Sequence, residues 1–243
     1  MSHVVSRPFA SPFAGAIGAE NERGVVCVIP DVKARSPKEG DLFAGRDPVA
    51  VAVSLVGWGA PVLSVVTEAE HFGGSAGVLR DIVTSTGVPV LRKDFITSRA
   101  DLEETAELGA SAVLLICATL APDNVRTLYG EALALGLEPL VEVAGATELA
   151  LARELGAELV GVNNRDITAW ELDDGGVART GALAAGVGPG VVLVSESGIL
   201  EVDDASRAVA AGANAVLVGT ALWRAADMGA MYAALRVPWR AGR

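Results

Sequence analysis

Short apolar runs alternate eight times with segments of helical length and pattern along this 243-residue chain. That rhythm predicts an α/β protein built as a single (β/α)8 barrel, the TIM-barrel class. Two further observations agree. No glycine-rich dinucleotide fingerprint follows the first apolar run, which disfavours an open doubly wound sheet. Polar groups also collect where the apolar runs end, and in such barrels the chemistry sits at the C-terminal strand tips.

Taken in order, residues 1–24 read as a short N-terminal extension, with one or two helical turns expected at Pro12–Ile17. Strands are expected at Val25–Ile29, Val62–Val66, Val88–Leu91, Ala112–Ile116, Pro139–Val143, Leu159–Val162, Val191–Val194 and Ala215–Val218. Helices are expected near 47–58, 75–86, 99–108, 122–135, 146–155, 177–185, 201–211 and 220–235. Ser98, with Asp101, Glu103 and Glu104 behind it, fits a helix start with acid at the positive dipole end. Leu108-Gly109-Ala110, Leu155-Gly156-Ala157 and Ala211-Gly212-Ala213 each read as a helix passing through glycine into a strand, where glycine suits the left-handed terminal position. Gly186-Val187-Gly188-Pro189-Gly190 looks like a phosphate loop but precedes a strand, so it reads as a turn at the opposite face. No linker or low-complexity stretch divides the chain, and one barrel domain is expected over residues 1–243.

Composition bounds the function. At 51% hydrophobic and 20% charged residues, the chain can bury a large core. No apolar stretch of about eighteen residues runs without Gly, Pro or charge, and no basic segment precedes an apolar one. A soluble, unexported, cytoplasmic protein without a membrane partner is expected. The formal net charge of −11, with no basic stripe, argues against nucleic acid. Cys27 and Cys117 lie in apolar runs without CxxC spacing and read as buried free thiols. His3 and His71 are too few and too scattered for zinc, so no metal is expected. Trp58, Trp170, Trp223 and Trp239 carry no assigned role.

The stretch from Val26 to Pro37 anchors the functional reading. An apolar run ends in Asp31-Val32-Lys33, and strand alternation puts Asp31 and Lys33 on the face of Cys27 and Ile29. A strand-end ion pair would explain these two residues alone. Other tips repeat the pattern: Arg92-Lys93-Asp94-Phe95, Glu142 inside Leu140–Val143, Asn163-Asn164-Arg165-Asp166, Ser195-Glu196-Ser197-Gly198 and Gly219-Thr220. Six of eight tips carrying such groups is hard to explain by packing. Ser197-Gly198 and Gly219-Thr220 follow the seventh and eighth strands, where these barrels often cradle phosphate. Lysines and carboxylates around a phosphate describe an acid/base enzyme that needs no cofactor. Arg165-Asp166 could equally be a simple ion pair, Glu196 a structural carboxylate, and Phe72 and Phe95 lid or core residues. Ser195 lacks the G-x-S-x-G surroundings of a nucleophile.

Together the tips resemble the indole-3-glycerol phosphate synthases, over roughly Val25–Trp223. The motifs are Lys33-Ala34-Arg35-Ser36-Pro37, Phe72-Gly73-Gly74-Ser75, Pro89–Ile96 with its LRKDFI string, Glu142, Gly161–Asp166, Ser195–Ile199 and Val218-Gly219-Thr220. The resemblance implies ring closure, decarboxylation and dehydration of a carboxyphenylamino-deoxyribulose phosphate, a sugar-phosphate substrate. It implies Lys93 as the acid that polarises the carbonyl, Glu142 in proton transfer, and Lys33 assisting. Asp31 stands at an acid/base position, and Asn163 and Arg165 would orient the substrate. Arg165 and Ser36 would hold the anthranilate carboxylate. Phe95 and Glu196 would line the site, while Ser197, Gly198, Gly219 and Thr220 would bind phosphate. A monomer or homodimer is expected.

The chain departs from the family pattern in three places. Asp31 replaces Glu, and Pro30 replaces Ala, so the first strand is expected to end or bulge at Pro30. Lys38-Glu39 follows Ser36-Pro37 where Ser-x-Gly is usual, the glycine here being Gly40. The segment before the first strand is some twenty residues shorter, and in the family that segment helps to cover the site. Two other readings therefore stand beside the synthase: a diverged paralogue acting on another aryl-amino sugar phosphate, and a phosphate-sugar binder without catalysis.

Overall fold

The structure, a computed structural model, describes residues 11–169 and 176–240. The first ten residues of the extension, His3 among them, and Trp170 lie outside the described residues. Eight parallel strands close a barrel: β1 (Cys27–Val32), β2 (Leu63–Val66), β3 (Val90–Lys93), β4 (Ala112–Ile116), β5 (Glu138–Val143), β6 (Leu159–Asn163), β7 (Val192–Glu196) and β8 (Ala215–Val218). Each strand pairs with its sequence neighbours, and β1 closes the ring by pairing with both β2 and β8. The helices are α1 (Pro12–Glu22), α2 (Pro48–Gly57), α3 (Ala76–Thr86), α4 (Arg99–Glu107), α5 (Pro122–Ala134), α6 (Ala146–Glu154), α7 (Ala178–Leu183), α8 (Val202–Ala211), α9 (Thr220–Arg224) and α10 (Met228–Leu235).

Strand parity splits the apolar residues into two layers. Cys27, Ile29, Leu91, Leu114, Leu140, Leu159, Val194 and Leu217 fill the barrel interior. Their neighbours Val28, Val65, Val90, Val113, Val141, Val160, Leu193 and Val216 face outward into the helix layer. The expected glycine stops hold, with φ of 82° at Gly109, 67° at Gly156 and 116° at Gly212, a region that only glycine enters without penalty. Ser98 and Asp101 form a reciprocal capping box at the start of α4. The turn before β7 lies at the N-terminal strand face, as expected for Gly186–Gly190.

Three expectations need correction. The first strand begins at Cys27 and runs on to Val32, through Pro30. Pro30 is the last residue in register with β8, and Asp31 is the first in register with β2. The missing N–H thus falls where the strand hands over between neighbours, a consequence of barrel stagger. The segment 220–235 is two helices, because Ala225 is extended and Asp227 caps a new start by accepting from the Ala230 amide. The N-terminal turns extend to a helix of 11 residues, α1.

That helix does not cover the strand tips. Phe13, Ala14 and Ile17 join the interior cluster. The Phe13 and Ala14 amides donate to the Glu138 carboxylate at 2.6 and 2.8 Å, an anion at a helix N-terminus. Glu138 begins β5, so α1 plugs the end of the barrel opposite the tips. The C-terminal tail reinforces this end: the Val26 amide donates to Val237, and the Trp239 amide to Gly24.

Candidate active site

The interior tip residues converge because alternate strand residues point inward. Asp31 is buried, and its Oδ1 accepts from the Ser64 hydroxyl of β2 at 2.7 Å. The Trp223 indole N–H donates to the Asp31 carbonyl at 2.9 Å and fixes the end of β1. Lys33, just beyond, holds its ammonium 5.7 Å from the centre of the Phe72 ring. Phe72 is kept there by the loop after β2. Its carbonyl accepts from the Arg35 amide, and the Glu68 carboxylate accepts from the amides of Glu70, His71 and Phe72. Burial works against ionisation of Glu68, but these bonds, first that from Phe72, hold its pKa below the usual carboxylate range.

At the tip of β3, Arg92 and Lys93 go opposite ways. Arg92 turns outward and is tied to Thr67, Thr105, Asp94 and Glu104. Asp94 in turn accepts from Thr67 at 2.6 Å and from the Phe95 amide at 2.8 Å. This clamp fixes the backbone from which Lys93 points inward, its Nζ 3.8 Å from Oε2 of Glu196 on β7. Glu142 on β5 is buried and accepts from the Asn163 side chain at 3.2 Å. Asn163 Oδ1 accepts from the Arg165 amide, and Arg179 of α7 donates to the carbonyls of both Asn163 and Arg165.

Behind this face lies a second polar cluster. Asn164, pointing outward next to inward Asn163, donates to the Ser195 hydroxyl and to the carbonyls of Glu196 and Ser197. It accepts from the amide and hydroxyl of Thr180. Ser195 also bonds Thr180, consistent with a packing role and not a nucleophile. The cluster secures a turn in which Ser197 and Gly198 both have positive φ, 59° and 71°. A Cβ on Gly198 would lie 2.6 Å from the Gly176 backbone, so the turn is also tight.

Two lobes open between these groups. One is mainly apolar, with Phe72, Phe95, Leu114, Ile116 and Ile167 around Glu142. The other is polar, with Asp31, Arg165, Ser197, Gly198, Gly219 and Thr220. Lys33 and Lys93 line both. Of the sequence-selected residues, Asn163 and Glu196 stand behind the lining, bonded to groups in it. Ser36 sits in a short hairpin, Arg35–Ser36 against Gly40–Asp41, buried and outside both linings. Sequence reasoning missed Ser64 and Arg179, and it quoted Gly161 and Asn164 within a motif without giving either a role. Gly161 carried a further signal, being a glycine inside a strand.

Elsewhere, Glu68, Glu70 and His71 bring one ligand atom each within 4.8 Å of one another. The Glu68 oxygens already close the turn there, so the cluster reads as a turn cap. Cys27 and Cys117 are buried free thiols, and burial, with Glu148 and Glu142 nearby, pushes Cys117 up to about 12. Among the described residues, no helix is long and apolar enough to cross a membrane.

A family model described as indole-3-glycerol phosphate synthase matches residues 4–235. Relatives bearing that name include one from Pyrococcus furiosus, 44% identical over 82% of this chain and 86% of its own length. One from Nocardioides sp. is 46% identical over 82% and 76%, and one from Opitutus terrae is 39% identical over 95% and 87%. Barrel, tips and relatives agree, and the chain belongs to the indole-3-glycerol phosphate synthase family.

Proposed function

We propose that this chain is a carboxy-lyase that converts 1-(2-carboxyphenylamino)-1-deoxyribulose 5-phosphate to indole-3-glycerol phosphate, releasing carbon dioxide and water. One observation carries the reading beyond family membership: an apolar lobe and a polar lobe meet at two shared lysines. An aryl ring suits the first lobe and a sugar phosphate the second, and the reacting carbonyl then lies between them, beside Lys93 and Lys33.

Lys93 donates a hydrogen bond, then a proton, to the ketone oxygen as the ring carbon bearing the carboxylate attacks. A cationic donor stabilises charge that develops on that oxygen. Loss of carbon dioxide returns the bonding electrons to the ring. The new hydroxyl then leaves as water on a proton supplied by Lys33, while Glu142 takes the proton from the neighbouring carbon bonded to nitrogen, closing the ring double bond. Asp31 serves the proton transfers from the polar side. Asn163 orients Glu142, and Arg165, which lines the polar lobe, reaches the anthranilate carboxylate where the lobes meet; Ser36, outside both linings, shapes the loop after β1. Phe95 covers the ring, and Ser197, Gly198, Gly219 and Thr220 hold phosphate. Electrons balance within the substrate, so the proposal needs no cofactor or metal. The reaction is assigned to the cytoplasm and to a monomer or homodimer.

A second reading draws on Asp31. Its Ser64 tether holds a carboxylate already one methylene shorter than the family's against the barrel wall, leaving room for a differently substituted aryl-amino sugar phosphate. The test is to follow indole fluorescence after adding the carboxyphenylamino substrate to purified protein. Turnover of roughly 1 s⁻¹ or faster is expected, and Lys93→Ala should abolish it. Binding without turnover would favour the second reading, and an unchanged rate in Lys93→Ala would sink the proposed chemistry.

A further inference from the structure

A glycine stands in the middle of β6 where the backbone does not require one. Gly161 pairs in register with Glu142 on one side and Val194 on the other, and its φ lies outside the left-handed region. A glycine in such a place weakens a strand through its extra backbone freedom. What the position requires is space. A Cβ at residue 161 would lie 1.9 Å from Oε1 of Glu196 and 3.1 Å from its Cδ. Glu196 enters from the next strand, level with Asn163, and its side chain lies down over Gly161. Its other oxygen is the one 3.8 Å from Lys93 Nζ.

We propose that Gly161 is a positioning residue: its missing side chain forms the slot that seats the Glu196 carboxylate beside the Lys93 ammonium. The inference rests on the function proposed above, in which Lys93 delivers a proton to the carbonyl. A carboxylate beside an ammonium favours its charged, proton-bearing form. With a methyl group in the slot, the flexible end of Glu196 is the part that must yield. Glu196 is fully buried, so yielding means leaving its seat beside Lys93.

A double-mutant cycle tests this, with Gly161→Ala, Glu196→Ala and the pair, reading kcat, KM and Tm of each. Gly161→Ala alone should lower kcat by about 10²-fold, the usual cost of a misplacement near 1 Å, with KM changed far less, and should lower Tm. In the Glu196→Ala background the same methyl enters vacated space and should change neither kcat nor Tm further. Glu196→Gln, which keeps the slot filled, should leave the Tm loss from Gly161→Ala as large as in the parent protein. Glu196→Ser replaces Glu196→Ala should the latter fold poorly. Equal losses from Gly161→Ala in every background would overturn the proposal, because the glycine would then act through the strand alone. Failure of the parent protein to turn over would instead sink the assigned reaction, and the slot would still stand or fall on the Tm cycle.

Discussion

Removing the side chain of Asn164 should cost both stability and substrate affinity, by amounts that follow from its bonds. The amide makes three donor contacts, to Ser195, Glu196 and Ser197, and two acceptor contacts with Thr180. It has two hydrogens, so the donor contacts share them, and roughly four full bonds remain to be counted. At about 1 kcal/mol each, Asn164→Ala loses about 4 kcal/mol. For a barrel of this size that lowers Tm by about 8–16 °C. Asn164→Asp has nearly the same shape and keeps both acceptor contacts. It turns the donor side into a carboxylate facing two carbonyls, so it should fare no better than alanine.

The same substitution reaches the site through the turn it holds. Ser197 sits at positive φ, a conformation that costs a non-glycine residue about 1 kcal/mol or more, and its carbonyl is one of the Asn164 acceptors. Once released, the turn should relax out of the polar lobe. Under the proposed function that raises KM by about tenfold, or about 1.4 kcal/mol of binding, with kcat changed much less. Thermal unfolding and steady-state kinetics on the same preparations check both arms. Tm within 3 °C of the parent together with an unchanged KM would refute the reasoning, because a buried hub cannot be lost without consequence.

Asp31→Glu pushes the carboxylate past the Ser64 hydroxyl that now holds it; indole formation should fall by about 10- to 100-fold, and a gain would mean that Asp31 is what sets this chain apart. Cys27 and Cys117 should not react with a thiol reagent in the native protein at pH 8. With Cys117 pushed up to about 12, only about 10⁻⁴ of it is thiolate at that pH, so both should react only after unfolding. Asp101 has its pKa depressed: burial opposes ionisation, but bonds from the Thr97 and Ser98 amides and the Ser98 hydroxyl outweigh it. Its contribution is present above the usual carboxylate pKa and lost as pH falls through the depressed one. The Tm difference between the parent and Asp101→Asn should therefore shrink from pH 7 to pH 3, and a constant difference would contradict that cause.

The barrel was legible because its apolar runs are short and cleanly bounded. Ala112–Ile116 and Ala215–Val218 agree with the structure at both ends. Strands that end in polar tip residues read too short, since hydrophobicity stops before the ladder does. Lys93, Asn163 and Glu196 are ladder residues whose polar side chains turn into the site. Parity also explains what was missed. Asn163 and Asn164 read as one polar tip, yet one points into the barrel and the other into the layer beneath α7. Ser64 read as a small core residue, because nothing local shows that its register partner is Asp31. The role of Gly161 depends on a side chain 35 positions away and on the pairing of two strands.

The charges at the tips also bear on how a stable barrel can hold them. Asp31, Glu142 and Glu196 face Lys33, Lys93 and Arg165, and all six are mostly or fully buried. An isolated buried ion costs several kcal/mol, so a set of one sign would threaten the fold, whereas three of each largely offset one another. The balance is uneven in space. The polar lobe is lined by all three cations and, of the carboxylates, by Asp31, which Ser64 holds to the wall, while Glu196 stands behind Lys93. An anion can therefore be attracted there although the whole chain is −11, because nearby charges in a low-dielectric cleft outweigh distant ones screened by solvent. Glu142 lies in the apolar lobe, away from where a phosphate would sit. Folding and the proposed chemistry thus draw on one arrangement. Single charge deletions disturb both together, which is why paired substitutions separate them better than alanine scanning.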